Sequence, residues 1–149
     1  MIKIVCVGKV KEHFFREAID EYLKRLSKYT KVIIEEVPDT SDSNLSLKKE
    51  GMEILKKIKD NEFVVTLEIN GKMLDSVSMA KFIDKTFNSH SVITFVIGGS
   101  YGLSDEVIKR SNYSLSFSKL TFPHQLFRVI LLEQIYRCFK INNNESYHK

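Results

Sequence analysis

The stretch Val92-Ile-Thr-Phe-Val-Ile-Gly98-Gly99-Ser-Tyr-Gly102-Leu-Ser104 decides how this chain is read, together with Tyr113-Ser-Leu-Ser-Phe117-Ser118-Lys119-Leu120-Thr121-Phe122-Pro123-His124. An apolar strand runs straight into three glycines, and the next strand runs into a loop of small and apolar residues. Glycine at a strand end lets the backbone take positive φ and lets another group approach the main chain closely. In open α/β sheets, ligands bind beyond the carboxyl ends of the strands. The loops at 98–102 and 117–122 are therefore expected to share one site.

Outward from this stretch, strands and helices alternate. Ile2–Gly8 is a β-rich first segment, and Phe15, Ile19, Tyr22, Leu26 and Tyr29 recur at helical spacing over about 11–29. Residues 31–38 alternate as a strand ended by Pro38, and Asp39–Asn44 has loop composition and is expected to be mobile. A second amphipathic helix is expected over about 45–59. Residues 62–69 then read as a strand closed by an Asn70-Gly71-Lys72 turn. Ser76 or Ser78 suits the cap of a helix carrying Met79, Phe82, Ile83 and Phe87. Strands at 91–97 and 113–117 flank a short helix from Ser104, and a long helix starts at Pro123. This alternation predicts a single α/β domain over 1–149, with a largely parallel sheet flanked by helices.

The last helix is apolar almost all round, from Leu126 through Val129, Leu132, Ile135 and Phe139 to Ile141. A helix without a solvent face is buried on both sides, and a homodimer is the simplest cover. The 149 residues carry a net charge of +4. Residues 1–30 hold seven basic and four acidic side chains and residues 119–149 five and two, so the excess sits at the two ends. That distribution suits a polyanionic partner, and equally a solvated basic face. No apolar run is long enough to span a membrane, and the N-terminus does not read as a signal peptide. Cys6 and Cys138 lie in apolar segments without a neighbouring ligand, which predicts buried free thiols and a cytoplasmic address.

Several chemistries drop out. Gly98-Gly99-x-x-Gly102 is not the dinucleotide fingerprint and no acidic residue follows at ribose-binding distance. The chain also lacks a P-loop. The following helix opens Ser104-Asp105-Glu106, placing negative charge where a phosphate would sit. This loop should hold something neutral or cationic. His13, His90, His124 and His148 are scattered without metal-ligand spacing, so no metal is expected, and there is no Gly-x-Ser-x-Gly elbow. What remains is a pocket of backbone edges and apolar side chains, with His124, Gln125, Arg128 and the tail Tyr147-His148-Lys149 as polar neighbours.

Several segments, in this order, resemble the RlmH family of SPOUT-type methyltransferases. They are Val96-Ile-Gly98-Gly99-x-x-Gly102-Leu103-Ser104, Leu115-Ser116 with Leu120-Thr121-Phe122-Pro123-His124, Arg128-Val129, Glu133-Gln134-x-Tyr136-Arg137 and Tyr147-His148-Lys149. The likeness covers essentially the full length, including Val5-x-Val7-Gly8-Lys9 and Thr66-Leu67-x-x-x-Gly71-Lys72. It implies a single-domain SPOUT α/β trefoil knot, with the C-terminal half (about residues 66–149) forming the knotted site, an exception to unknotted chains. It further implies a homodimer through the C-terminal helix that binds S-adenosylmethionine. The implied reaction methylates N3 of a pseudouridine in 23S rRNA, on the large ribosomal subunit or the assembled ribosome.

Matching segment by segment, the resemblance implies cofactor contacts from Leu67, Gly98, Phe117, Ser118, Lys119, Leu120, Thr121 and Phe122. It ties His124, Arg128, Tyr147 and His148 to catalysis, and Arg128, Tyr147, His148 and Lys149 to the RNA. Relatives often carry proline where this chain has Ser146. The residues agree with that chemistry: a cationic sulfonium tolerates Asp105 and Glu106, and methyl transfer needs alignment in a dry pocket. The weakly acidic N3–H calls for a base or a stabilising cation, for which His124, His148 and Arg128 stand as alternatives. Arg128 in an apolar helix also suits a salt bridge between subunits, and by itself the tail reads as a frayed terminus. Phe14, Phe15 and Tyr22 read as core residues, although aromatic and basic groups near Lys9, Lys11 and Arg16 also suit RNA. A non-catalytic RNA- or ribosome-binding dimer that keeps the pocket is the rival reading.

Overall fold

Five strands, all but the last rich in β-branched residues, pair into one sheet in the order β2-β1-β4-β3-β5, every pairing parallel. The strands are β1 (Ile2–Val7), β2 (Val32–Val37), β3 (Phe63–Met73), β4 (Ile93–Ile97) and β5 (Tyr113–Ser116). The computed structural model describes residues 1–40 and 44–149; part of the loop expected at 39–44 lies outside the described residues. β1 and β4 are buried at every position, as mostly apolar strands in the middle of a parallel sheet must be, with Lys3 and Thr94 as their polar members. The alternation of side chains then builds two cores. Ile4, Cys6, Phe95, Ile97 and Leu115 point toward one layer, and Val5, Val7, Val64 and Val96 toward the other.

The first layer holds α1 (His13–Leu26), α3 (Ser76–Phe87) and α5 (His124–Asn142), with α5 packed against both of the others. The second holds α2 (Asn44–Lys56) and α4 (Asp105–Arg110), joined through Ile54 and Val107. In the second layer Lys3 is buried, donating to Glu62 Oε1 at 2.5 Å and to the Lys57 carbonyl at 2.8 Å, while Thr94 donates to Glu62 Oε2 at 2.8 Å. A charge this deep is tolerated because it is paired and hydrogen-bonded.

Three local expectations differ from the structure. The Asn70-Gly71-Lys72 turn lies inside β3, which runs on to Met73. Pairing with β5 skips a step, Leu115 facing both Leu67 and Lys72, so residues 68–71 bulge outward. Gly71 permits the return to register, because a Cβ there would sit 2.8 Å from the backbone carbons of Ser114 and Leu115. Asp75, one residue ahead of Ser76 and three ahead of Ser78, caps α3 by accepting from the Ser78 N–H at 2.7 Å. Part of the apolar cover expected from a second copy comes instead from α1 and α3, which enclose Leu131, Leu132, Ile135 and Cys138. Val129 and Ile130 remain half-buried.

Both cysteines are free and buried, and burial pushes the Cys6 thiol up to about 11 and the Cys138 thiol up to about 12. At pH 8 a thiol at 11 is ionised in about one molecule in a thousand, and the thiolate is the reactive form. Alkylation of the native protein at pH 8, followed by intact mass, is expected to leave both unmodified; the same reagent in denaturant labels both.

Candidate functional site

At the carboxyl ends of β3, β4 and β5 lies a hollow of about 360 Å³. Its floor is made where β4 stops. Gly102 has φ +81, its N–H donates to the Gly99 carbonyl at 3.1 Å, and a Cβ on Gly98 would sit 2.4 Å from the Gly102 oxygen. Backbone therefore packs directly on backbone, and side chains there would fill the turn. Ser104 caps α4 through the Val107 N–H at 3.4 Å, so Asp105 and Glu106 open that helix as expected.

The second wall follows β5. Ser116 Oγ donates to the Ser118 carbonyl at 3.1 Å, and Ser118 Oγ accepts the Leu120 N–H at 3.0 Å. Behind them Phe127 meets Phe117 edge-on at 5.1 Å and stacks with Phe122 at 6.1 Å. The third wall is the β3 bulge. It contributes Glu68, whose Oε2 accepts from Thr66 Oγ1 at 2.7 Å and Ser114 Oγ at 2.5 Å.

The hollow thus brings together Leu67, Gly98, Phe117, Ser118, Leu120, Thr121, Phe122 and His124. Lys119 is exposed and does not line it, and Leu120 projects from the rim at 71% exposure. Among the described residues neither lysine nor arginine faces the space, so a phosphate would find no cationic side chain there. Glu68 was not visible as a wall residue from sequence. Only the bulge brings it to the hollow, and the alternation of β3 carries no sign of a bulge.

Arg128 lies outside the hollow and is 1% exposed. Its Nη1 donates to Glu36 Oε2 at 2.6 Å, and its Nη2 to the carbonyls of Val7 and Gly8 at 3.1 and 2.7 Å. The guanidinium is thus committed within the protomer, tying the ends of β1 and β2 to α5.

The tail is held firmly. Asn144 takes a left-handed φ of 54 after α5, and Glu145 is fixed by Tyr29 at 2.7 Å and Lys140 at 3.1 Å. Tyr147 then donates to Glu133 Oε1 at 3.2 Å, sits edge-on to Tyr136 at 4.9 Å and lies under the Arg137 guanidinium at 4.8 Å. Burial first, and the Glu133 charge next, push its hydroxyl up to about 12. His148 lies 3.2 Å from Arg137 Nη1 and lines a second hollow of about 550 Å³, with Val77, Ile130 and Gln134. The two hollows share Leu115, Phe117 and Phe122. His124 and His148 thus stand in adjacent hollows, and Lys149 is exposed at the chain end.

The family model described as "Predicted SPOUT methyltransferase" matches residues 1–148. The chain is 55% identical to proteins named "Ribosomal RNA large subunit methyltransferase H" from Clostridium botulinum strains Alaska E43 and Eklund 17B. Each alignment covers 99% of this chain and 99% of the relative.

The Arg128 hydrogen bonds have a stability consequence. Removing its donors leaves the buried Val7 carbonyl unpaired, which costs about 1–3 kcal/mol, while the partly exposed Glu36 can turn to water. Arg128→Met, which keeps the length and removes the donors, is expected to lower the unfolding free energy by about that amount in urea titrations.

Proposed function

The chain belongs to the SPOUT methyltransferase family. On that premise we propose that it transfers a methyl group from S-adenosylmethionine to N3 of a pseudouridine in the 23S rRNA of the large ribosomal subunit. The observation that carries this reading is the hollow of about 360 Å³ uniting the Gly98–Leu103 turn, the 117–122 loop and the β3 bulge. Its size is that of a small-molecule site. Leu67, Ile97, Leu103, Phe117 and Phe122 offer apolar walls for a purine, and the two loops offer main-chain edges for its polar rim. Glu68 is the acidic group in the lining, and lysine and arginine are missing from it, a set that favours a cation over a phosphate.

The chemistry that the cofactor supplies when bound is a methyl group on a positively charged sulfur. The residues do the rest by holding, drying and moving a proton. The apolar walls exclude water and fix the approach line, which for a displacement between two bound partners is a large share of the catalytic effect. Ser118 Oγ holds the 117–122 loop in shape by accepting the Leu120 N–H. His124, on the hollow's edge, takes the proton from N3 onto an imidazole nitrogen as the methyl arrives. Arg128 acts as a positioning residue, fixing the helix turn after His124 to the end of β1. His148, on the wall of the neighbouring hollow, meets the RNA together with Tyr147 and Lys149 of the same tail, and α5 receives a second copy of the chain.

The trefoil knot belongs to the same proposal. The β4-to-β5 connection crosses β3 in the layer of α4, and residues 117–123 then recross those strand ends to reach α5 in the opposite layer.

Two experiments test the reading. Titration calorimetry is expected to show cofactor binding by the wild type and none by Gly98→Ala, whose Cβ would meet the Gly102 oxygen at 2.4 Å. Transfer of labelled methyl to ribosomal particles lacking the modification, with the position read by mass spectrometry, separates an enzyme from a ribosome-binding dimer that keeps the pocket. His124→Ala is expected to slow transfer by about 10²- to 10⁴-fold with cofactor affinity retained. Cofactor binding without transfer by the wild type would leave the binding dimer as the answer.

A further inference from the structure

Residues 8–16 are held as a rigid strip beside the site while the side chains of Lys9, Lys11, Glu12, His13, Phe14 and Arg16 are left to solvent. Four backbone attachments pin the strip. Gly8 N–H donates to the Val37 carbonyl at 2.8 Å, the Gly8 carbonyl accepts from Arg128 at 2.7 Å, and Val10 N–H donates to Glu36 Oε2 at 3.3 Å. The fourth is Gln125 Oε1, which accepts the N–H groups of Lys11 at 2.9 Å and Glu12 at 3.4 Å. Gln125 directly follows His124, so the strip is bonded to the residue next to the hollow's edge.

From this strip Lys9, Lys11 and Arg16 project into solvent, and none has an ion-pair partner among the described residues. Glu17, one of the nearby acids, is engaged by His13 at 2.7 Å. Among these cations stands Phe14, 61% exposed, its ring 4.4 Å from that of the half-buried Phe15. One exposed phenyl ring is ordinary on a protein surface. An exposed ring braced by a second ring and flanked by three unpaired cations has the make-up of a surface for unpaired nucleotides, where bases stack on aromatics and phosphates meet lysine and arginine.

We propose that this strip is an RNA-binding surface: an unstacked base neighbouring the methylated nucleotide lies on Phe14, and its flanking phosphates run over Lys9 and Lys11. The inference rests on the ribosomal RNA reading above and names where that RNA crosses the protein outside the hollow. The rigidity of the strip matters to it. Because Gln125, Glu36 and Arg128 already order the backbone, little conformational freedom is lost when the RNA settles.

The test uses the full-length protein with purified large ribosomal subunits. Phe14→Ala is expected to weaken binding about tenfold or more, the contribution of one stacked base, and Phe14→Tyr to restore it. Lys9→Ala with Lys11→Ala is expected to flatten the dependence of log affinity on log salt by about 0.7 for each phosphate that is no longer neutralised. Cofactor affinity by calorimetry and sedimentation behaviour are expected to stay as in the wild type. Wild-type affinity in both variants overturns the proposal, and so does a change in oligomeric state on Phe14→Ala, which would make the ring a subunit contact. Weakened affinity with an unchanged salt slope in the lysine variant points to a ribosomal protein and also overturns it. A wild type that binds cofactor but not the particles fails at the RNA reading itself, and this surface falls with it.

Discussion

The guanidinium of Arg128 is where the two ends of the chain are joined. It reaches from the second turn of α5 to the carbonyls of Val7 and Gly8 at the end of β1 and to Glu36 near the end of β2. A parallel sheet leaves its carboxyl-terminal carbonyls without partners, and burying them needs a donor. Arginine is suited to this because its planar fork presents several N–H groups in fixed directions. What hangs on this anchor is the placement of His124 and Gln125, which begin the same helix, and of residues 8–12, which follow the same strand. Arg128 Nε remains buried without a hydrogen-bond partner among the described residues. The side chain tolerates that vacancy because its other nitrogens are so fully used.

The hollow is shaped by absence as much as by contact. At Gly98 and Gly71 the missing Cβ lets one backbone lie against another, at separations that no side chain would allow. The first close approach makes the turn beyond β4, and the second returns β3 to register after its bulge. Into the hollow the bulge brings the Glu68 carboxylate, already accepting two hydroxyl hydrogen bonds. The hollow therefore carries fixed negative charge in partly desolvated surroundings, where a charge is felt more strongly than in water. Dinucleotide and P-loop sites reverse this sign, presenting N–H groups and lysine to phosphate.

Much of this was legible in the sequence because it depends on periodicity and on glycine. The mostly apolar runs of β1 and β4, the start of α4 at Ser104, and the placing of the 98–102 and 117–122 loops at strand ends all follow from local rules. What was not legible depends on distant partners. The bulge in β3 exists because β5 pairs on both sides of it, and an Asn-Gly pair in isolation reads as a turn. Arg128 in an apolar helix looks like a functional charge until the strand-end carbonyls that it satisfies are in view. The tail reads as fraying until Asn144 turns it back and Glu145 finds Tyr29 and Lys140.

The two hollows are not independent, because Leu115, Phe117 and Phe122 belong to both. Phe117 and Phe122 each rest on Phe127, so neither ring can turn without disturbing a third. A molecule seated on the Gly98 side therefore touches side chains that also form the wall of the His148 side. On the proposed reading this joins the methyl donor's site to the face where RNA and tail meet, through three apolar side chains and without any hydrogen bond. The chain obtains that shared wall by carrying residues 117–123 between the two hollows on the way to α5.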